Sequence, residues 1–244
     1  LRGRVGVVLE GVEEYELAPH GEGNVYAPHV MIENGLYRMW YGAQGRDGHD
    51  RICYAESRDG LEWTKKGVAI DCGSSNHVND PSVVKVGETY SLYFTRAERD
   101  VVDRIDVATS KDGIAWELHG VVVSPGGAGE WDSLVAGRPA VLFEEGVFKM
   151  WYDGRKDLPL GSPAKGVPLS ASSTRSVGYA TSRDGLMWTK HSANPVFGHD
   201  AGGVDVSRRV DSGRGQELLM LFESHEGTRM ATSRDGIGWE ERGF

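Results

Sequence analysis

The chain has 244 residues, of which 39% are hydrophobic and 26% are charged. This composition supports a packed core and excludes wholesale disorder. Its 27 basic and 36 acidic side chains give a formal net charge of −9, so we expect no nucleic-acid partner. No apolar run approaches the ~18 residues of a membrane span, and we expect no membrane partner.

The chain contains two cysteines, Cys53 and Cys72, which cannot form a disulfide framework or, unaided, a four-ligand zinc site. We interpret both as structural and expect no cofactor and no resident metal. The cysteine count is neutral between cytoplasm and secretion, with the cytoplasm slightly favoured. The 34 glycines, together with seven tryptophans and nine tyrosines, indicate many short strands and tight turns.

A phrase of the form Ser-(Arg/Lys)-Asp-Gly-(Leu/Ile)-x-Trp occurs four times in the chain. The first 26 residues, which precede the repeats, contain one plausible strand, residues 5–9. An aromatic or aliphatic phrase lies upstream of each occurrence, and a proline opens the first three units. The four phrases end at Trp63, Trp116, Trp188 and Trp239, and the three prolines are Pro28, Pro81 and Pro139. A period of roughly 50 residues with four predicted strands indicates propeller blades.

Each unit predicts two hairpins, and the Asp-Gly pair turns the chain between the third and fourth strands. The tryptophan that follows packs between neighbouring units, so we assign this phrase no chemistry. The units cover about 27–75, 76–130, 131–200 and 201–241 of a single domain that spans 1–244. The sequence predicts an all-β propeller, five-bladed with the fifth blade incomplete or built from the termini, or alternatively four-bladed.

Because the strands alternate in direction, the start of each first strand and the loop after each second strand lie at one end of every unit. These segments vary between units, and propellers usually bind ligands there, at the mouth of the central channel. We predict an oligosaccharide or other small-molecule ligand at this mouth. The candidates to bind it are Tyr26, His29, His77, Arg138, Arg155 and His225.

The loop after the second strand of the third unit is unusually long. It runs from Asp153 to Ser176 and contains three prolines and several serines. A structureless loop of this length is uncommon in a compact domain and is often functional. It is either a lid over the mouth or a disordered surface insertion.

Three motifs together resemble the glycoside hydrolase propellers of families 43 and 32 and their relatives. They are Asn-Asp-Pro at 79–81, Met-Trp-Tyr at 39–41 and 150–152, and Ala-Thr-Ser-x-Asp-Gly-x-x-Trp at 108–116, 180–188 and 231–239. The resemblance covers about residues 24–240. It implies a five-bladed propeller with a funnel-shaped carbohydrate site and three acidic groups: a base or nucleophile, a general acid and an orienting carboxylate.

Glycoside cleavage needs one protonated carboxyl beside the leaving oxygen and one ionised carboxylate. Asp80 matches the Asp-Pro motif of these families, and Asp205 opens the fourth unit at the position that we take as equivalent. Glu223 and Asp153 each follow a second strand, and Glu223 is our candidate for the general acid. Turn capping and surface salt bridges are the structural alternatives for these carboxylates.

Two unit openings depart from the family pattern, because Ala27-Pro28 and Arg138-Pro139 lack the carboxylate. Arg138 would bind a carboxylate, sulfate or phosphate group, which fits an acidic sugar or a phosphorolytic enzyme. The histidines at the mouth could act as acid or base, hold a metal together with Asp80, or only bind hydroxyl groups.

Three functions follow from these residues. The first is an enzyme that cleaves or transfers a glycosidic bond by carboxylate acid–base chemistry in a central funnel. The second is a propeller that binds carbohydrate without cleaving it. The third is an enzyme of another reaction class on the same scaffold, with histidine and arginine at the mouth carrying the chemistry.

Overall fold

The computed structural model describes residues 6–73, 76–98, 102–157, 174–198, 200–211, 215–224 and 226–242. Apart from one 3₁₀ turn, Glu14–Glu16, the regular elements in these ranges are β-strands. They form four antiparallel groups of four, which we call blades 1 to 4. A parallel pair, Asp103 with Val135, joins the second and third groups into one eight-stranded sheet. No helix in the described ranges has the length and apolar character needed to cross a bilayer.

Each blade runs through its strands in chain order. Blade 1 comprises β1 (Val25–Glu33), β2 (Leu36–Gln44), β3 (Asp50–Ser57) and β4 (Thr64–Ile70). Blade 2 comprises β5 (Asn76–Val86), β6 (Thr89–Glu98), β7 (Val102–Ser110) and β8 (Glu117–Val123). Blade 3 comprises β9 (Val135–Glu144), β10 (Val147–Arg155), β11 (Arg175–Ser182) and β12 (Trp188–Lys190). Blade 4 comprises β13 (Gly202–Asp211), β14 (Gly215–Ser224), β15 (Gly227–Ser233) and β16 (Glu240–Arg242).

The Asp-Gly phrase builds the same turn in all four blades. In blade 1 the Ser57 hydroxyl donates to the Asp59 carboxylate at 3.0 Å and accepts the Gly60 N–H at 2.9 Å. The Asp59 carboxylate also accepts the next two backbone N–H groups, at 2.8 and 2.9 Å. The corresponding bonds recur around Ser110, Ser182 and Ser233. The phrase is therefore a structural turn.

Aromatic side chains on the second strand of a blade bind the Asp-Gly turn of the next blade. The bonds run from Trp40 Nε1 to Gly113 O (3.1 Å), from the Tyr93 hydroxyl to Gly185 O (2.9 Å) and from Trp151 Nε1 to Gly236 O (2.8 Å). Each ring also meets the tryptophan that follows that turn edge to face, with centroids 5.4 to 6.2 Å apart. These contacts and three core clusters fill the interfaces between blades 1 and 2, 2 and 3, and 3 and 4.

The opposite face of blade 1 is covered by the amino-terminal segment. Leu9 and Tyr15 pack against a separate apolar cluster that alternates along β2 and β3 with the residues facing blade 2. The buried Glu16 carboxylate anchors this segment, because it accepts the Tyr41 hydroxyl at 2.7 Å and pairs with Lys65. Residues 6–9 do not form the strand predicted over residues 5–9; they follow an irregular path instead.

Each first strand contains a bulge at its mouth end, where the pairing register shifts. One residue of each bulge has a positive φ, and these residues are Ala27 (45°), Asp80 (52°), Arg138 (49°) and Gly203 (56°). Positive φ is uncommon outside glycine, and strained backbone clusters at functional sites.

The bulges correct the position predicted for Asp205. Gly203, not Asp205, corresponds to Asp80, and Asp205 corresponds to His29 because both directly follow the register shift. Blade 4 lacks the proline that marks the other three openings, so the sequence did not locate its bulge.

Candidate functional site

The four bulges surround one cavity of about 380 Å³ at the mouth. Six of the predicted site residues line it: Tyr26, His29, Asp80, Arg138, Asp205 and Glu223. Asp153 and Arg155 lie behind its wall, and His77 lies behind Tyr26. His225 and residues 158–173 of the long loop lie outside the described residues.

The carboxyl group of Asp80 is the most enclosed acid that lines the cavity. Its side chain is 18% exposed, with one oxygen 3.3 Å from the Thr95 hydroxyl and 3.8 Å from Arg138 Nε. Burial raises the pKa of Asp80, and the charges of Asp153 and Glu223 raise it further, against the opposing effects of Arg138 and Thr95. A carboxyl group that retains its proton at higher pH is suited to donate one.

Thr95 connects the bulges of blades 2 and 3. Its buried hydroxyl oxygen accepts the backbone N–H of Arg138 at 2.7 Å, so its single hydrogen is free to point at Asp80. Sequence reasoning missed Thr95. A signal was present, because Thr95 follows its strand phrase at the position that Asp153 and Glu223 take in blades 3 and 4.

Asp153 is completely buried behind the cavity wall. One of its oxygens accepts from Arg155 at 3.1 Å, and the other has no hydrogen-bond partner within the described part of the chain. A Cβ atom on Gly202 would lie 2.7 Å from the Asp153 carboxylate, so the start of blade 4 packs directly on it. Asp153 therefore acts on the cavity through its charge rather than by contact with a ligand.

Glu223 reaches across the mouth to two arginines. Its Oε2 atom lies 2.9 Å from Arg138 and 3.5 Å from Arg175, although the Glu223 side chain is 57% exposed. Arg175 is 4% exposed and also binds Asp200 at 3.0 Å. Neither Arg175 nor Asp200 was predicted. Arg175 lies in the segment that the sequence assigned to the long loop, where the structure instead begins β11, and no repeat phrase marks the position of Asp200.

Tyr26 forms the blade 1 wall of the cavity. Its ring fills the space in front of Gly42, where a Cβ atom would lie 2.5 Å from a ring carbon. Burial raises the pKa of the Tyr26 hydroxyl, and so do the charge and hydrogen bond of Asp50. Asp50 in turn lies 2.7 Å from His77 Nδ1. His77 thus supports Tyr26 from behind instead of lining the cavity.

His29 and Asp205 directly follow the bulges of blades 1 and 4, and both line the cavity. Burial lowers the pKa of His29, while the nearby Asp205 carboxylate opposes that shift. Among the described residues, no group of three or more His, Cys, Asp or Glu side chains is arranged to hold a metal ion.

No family model matches the chain. A 140-residue stretch is 36% identical to an uncharacterised protein of Mycobacterium tuberculosis and covers 52% of this chain and 45% of that protein. A 1,2-beta-oligomannan phosphorylase of a Thermoanaerobacter species is 29% identical over 114 residues, 41% of this chain and 38% of that enzyme. A probable sucrose-6-phosphate hydrolase of Psychromonas ingrahamii is 25% identical over 100 residues, 38% of this chain and 18% of that enzyme. The matched stretches span less than half of each relative.

Solved structures match nearly the whole chain. A family 117 glycoside hydrolase of the marine bacterium Zobellia galactanivorans has a TM-score of 0.74 at 18% identity and covers 97% of this chain and 74% of its own. A thermostable family-43 glycoside hydrolase has a TM-score of 0.67 at 22% identity and covers 94% of this chain and 78% of its own. The chain has the fold of the propeller glycoside hydrolases, as its motifs predicted.

Proposed function

We propose that the protein cleaves a glycosidic bond in the mouth cavity, with Asp80 as the general acid. The observation that carries this proposal is the enclosed Asp80 carboxyl, held on a left-handed bulge, with burial raising its pKa. The fold similarity to glycoside hydrolases supports it, as do the partial matches to a sucrose-6-phosphate hydrolase and an oligomannan phosphorylase.

In this mechanism the proton of Asp80 moves to the glycosidic oxygen while the bond from that oxygen to the anomeric carbon breaks. Glu223, an exposed acid at the rim, accepts a proton from water as the water oxygen bonds to the anomeric carbon. We assign Glu223 to this role rather than to the acid role, because two guanidinium groups donate to it. Asp153 does not reach the cavity, and its role is to raise the pKa of Asp80 through its negative charge.

Asp80→Asn tests the proposal. The variant should hydrolyse a panel of aryl glycosides at least about 10³-fold more slowly than the parent, because the amide cannot donate the proton. Asp112→Asn is the matched control, since Asp112 is an aspartate of an Asp-Gly turn, and it should keep full activity. Equal turnover by Asp80→Asn and the parent would remove Asp80 from the mechanism.

A non-catalytic carbohydrate-binding propeller is the second candidate. Ala27 favours it, because Ala27 occupies in blade 1 the bulge position that carries a carboxyl in blade 2. The same experiment separates the two functions. A binding protein would bind sugars in calorimetry, and neither the parent nor Asp80→Asn would release product from the panel.

We also propose a ring with five positions within one domain, in which the amino-terminal segment occupies part of the fifth. The segment covers the free face of blade 1, which supports this arrangement. At the other side, Leu221 of blade 4 is 38% exposed at the strand position where Trp40, Tyr93 and Trp151 are buried between blades.

A further inference from the structure

Arg138 and Arg175 converge on a single point at the rim of the cavity. Arg138 belongs to the bulge of blade 3 and Arg175 opens β11, yet both guanidinium groups approach the same Oε2 atom of Glu223. The arginine side chains are 24% and 4% exposed, whereas Glu223 is 57% exposed. Two enclosed cations therefore face one solvent-accessible carboxylate.

The donors of Arg138 are incompletely satisfied. Arg138 Nε is buried and has no hydrogen-bond acceptor among the described residues, since the Asp80 oxygen at 3.8 Å is out of range. A guanidinium presents a fixed fork of donors that matches the paired oxygens of carboxylate and phosphate groups. A single oxygen of Glu223 cannot satisfy all the donors that the two guanidinium groups of Arg138 and Arg175 direct at it.

Charge balance restricts what else can bind there. Arg175 is already paired with Asp200, and Arg155 with Asp153, which leaves Arg138 between Asp80 and Glu223. An added anion would meet an excess of negative charge if Glu223 stayed in place. Glu223 must therefore leave the arginines when an anion arrives, and its exposure gives it room to do so.

We propose that Arg138 and Arg175 form an oxyanion-binding subsite, and that the Glu223 carboxylate occupies it when no ligand is bound. The ligand is an oxyanion of the carboxylate or phosphate class. It is either a free anion or a charged group carried by the sugar. Only the version in which a sugar carries the charged group rests on the proposed function. The arginine pair binds an anion whether or not a glycosidic bond is cleaved.

The test measures the affinity of the full chain for inorganic phosphate and for methyl glucuronide by calorimetry, with methyl glucoside as the neutral match. Glu223→Gln should bind phosphate about tenfold more tightly than the parent, because it removes the competing carboxylate. Arg138→Lys keeps the charge but loses the fork, so its phosphate affinity should fall about tenfold. Glu226→Gln, which removes a carboxylate that lies three residues after Glu223 in the chain and pairs with Arg229, is the control and should change nothing.

The two sources of the anion give different results. Tighter binding of methyl glucuronide than of methyl glucoside and phosphate identifies an acidic sugar, whereas phosphate binding without that preference identifies a free anion. Unchanged phosphate affinity in Glu223→Gln, or an equal gain in Glu226→Gln, overturns the subsite. If the subsite fails but neutral aryl glycosides are hydrolysed, the proposed function still stands. If anions bind as expected but no glycoside is hydrolysed, the subsite stands and the proposed function fails.

Discussion

The two ends of the blades use aspartate in opposite ways. At the turn end, Asp59, Asp112, Asp184 and Asp235 each accept two backbone N–H groups, and these bonds lower the pKa of all four. At the mouth end, burial raises the pKa of Asp80, and the neighbouring carboxylates of Asp153 and Glu223 raise it further. The same residue type therefore stabilises a turn at one end and, in the proposed mechanism, donates a proton at the other.

This difference shows why repetition marked the structural residues and variation marked the residues that line the cavity. A turn that closes every blade has the same hydrogen bonds to satisfy in each, so Ser, Asp and Gly recur. A cavity lined by all four blades needs one acid and one cation at particular places, so its residues differ from blade to blade. Three predictions test whether stability and chemistry are separated in this way.

The largest expected effect is on stability and comes from the turn end. Trp151→Ala should lower the free energy of unfolding by about 3–5 kcal/mol, because it removes a completely buried ring and the donor to the Gly236 carbonyl. Urea denaturation followed by tryptophan fluorescence measures the loss. Leu221→Ala, at the same strand position of blade 4, should cost no more than about 1 kcal/mol. Equal losses in the two variants would contradict the role assigned to the interface.

Thr95→Val should have an intermediate effect and sharpens the description of the mouth end. The valine leaves the Arg138 N–H without its acceptor and should cost about 1–3 kcal/mol. Loss of the hydroxyl donor should also raise the pKa of Asp80 further, which carbon-13 NMR of the labelled carboxyl can follow. Thr95→Ser keeps the hydroxyl and should restore the parent titration. A Thr95→Val titration identical to that of the parent would show that Thr95 only packs.

The smallest effect concerns the sign of a pH dependence. Because the pKa of Asp80 is raised in the folded state, its ionisation destabilises the fold as the pH rises through that pKa. Asp80→Asn should therefore increase stability at neutral pH and show little gain below the usual aspartate value of 3.8. Asp235→Asn should do the opposite, losing stability at neutral pH but not in acid, since the stabilisation by Asp235 is lost as the pH falls through its lowered pKa. Chemical denaturation at several pH values measures both, and the same sign in both variants would refute the contrast.

The sequence predicted the blades because their turns are local. The Asp-Gly and aromatic phrases act over a few residues, so their repetition located the strands and placed Asp80, Arg138 and Glu223 at one mouth. The bulge of blade 4 escaped prediction because Gly203-Val204 carries no marker comparable to Asp80-Pro81.

The contacts between blades were harder to predict because they depend on the fold. Thr95 matters only because the backbone of Arg138 approaches it, and Arg175 only because Glu223 crosses the mouth. The position of His77 behind Tyr26 depends on the intervening Asp50, which carries no motif. Alignment of the second-strand ends would have identified Thr95, but no spacing in the sequence relates Arg175 to Arg138.

The left-handed bulges have an evolutionary consequence. One backbone geometry holds a methyl group, an acid, a cation and a hydrogen atom in four blades, at Ala27, Asp80, Arg138 and Gly203. Single substitutions there can change what the rim offers a ligand without rebuilding the strand. Deletion of one bulge residue, by contrast, would rotate every later side chain of that strand to the opposite face, so this scaffold diversifies by exchange of residues and resists changes of length.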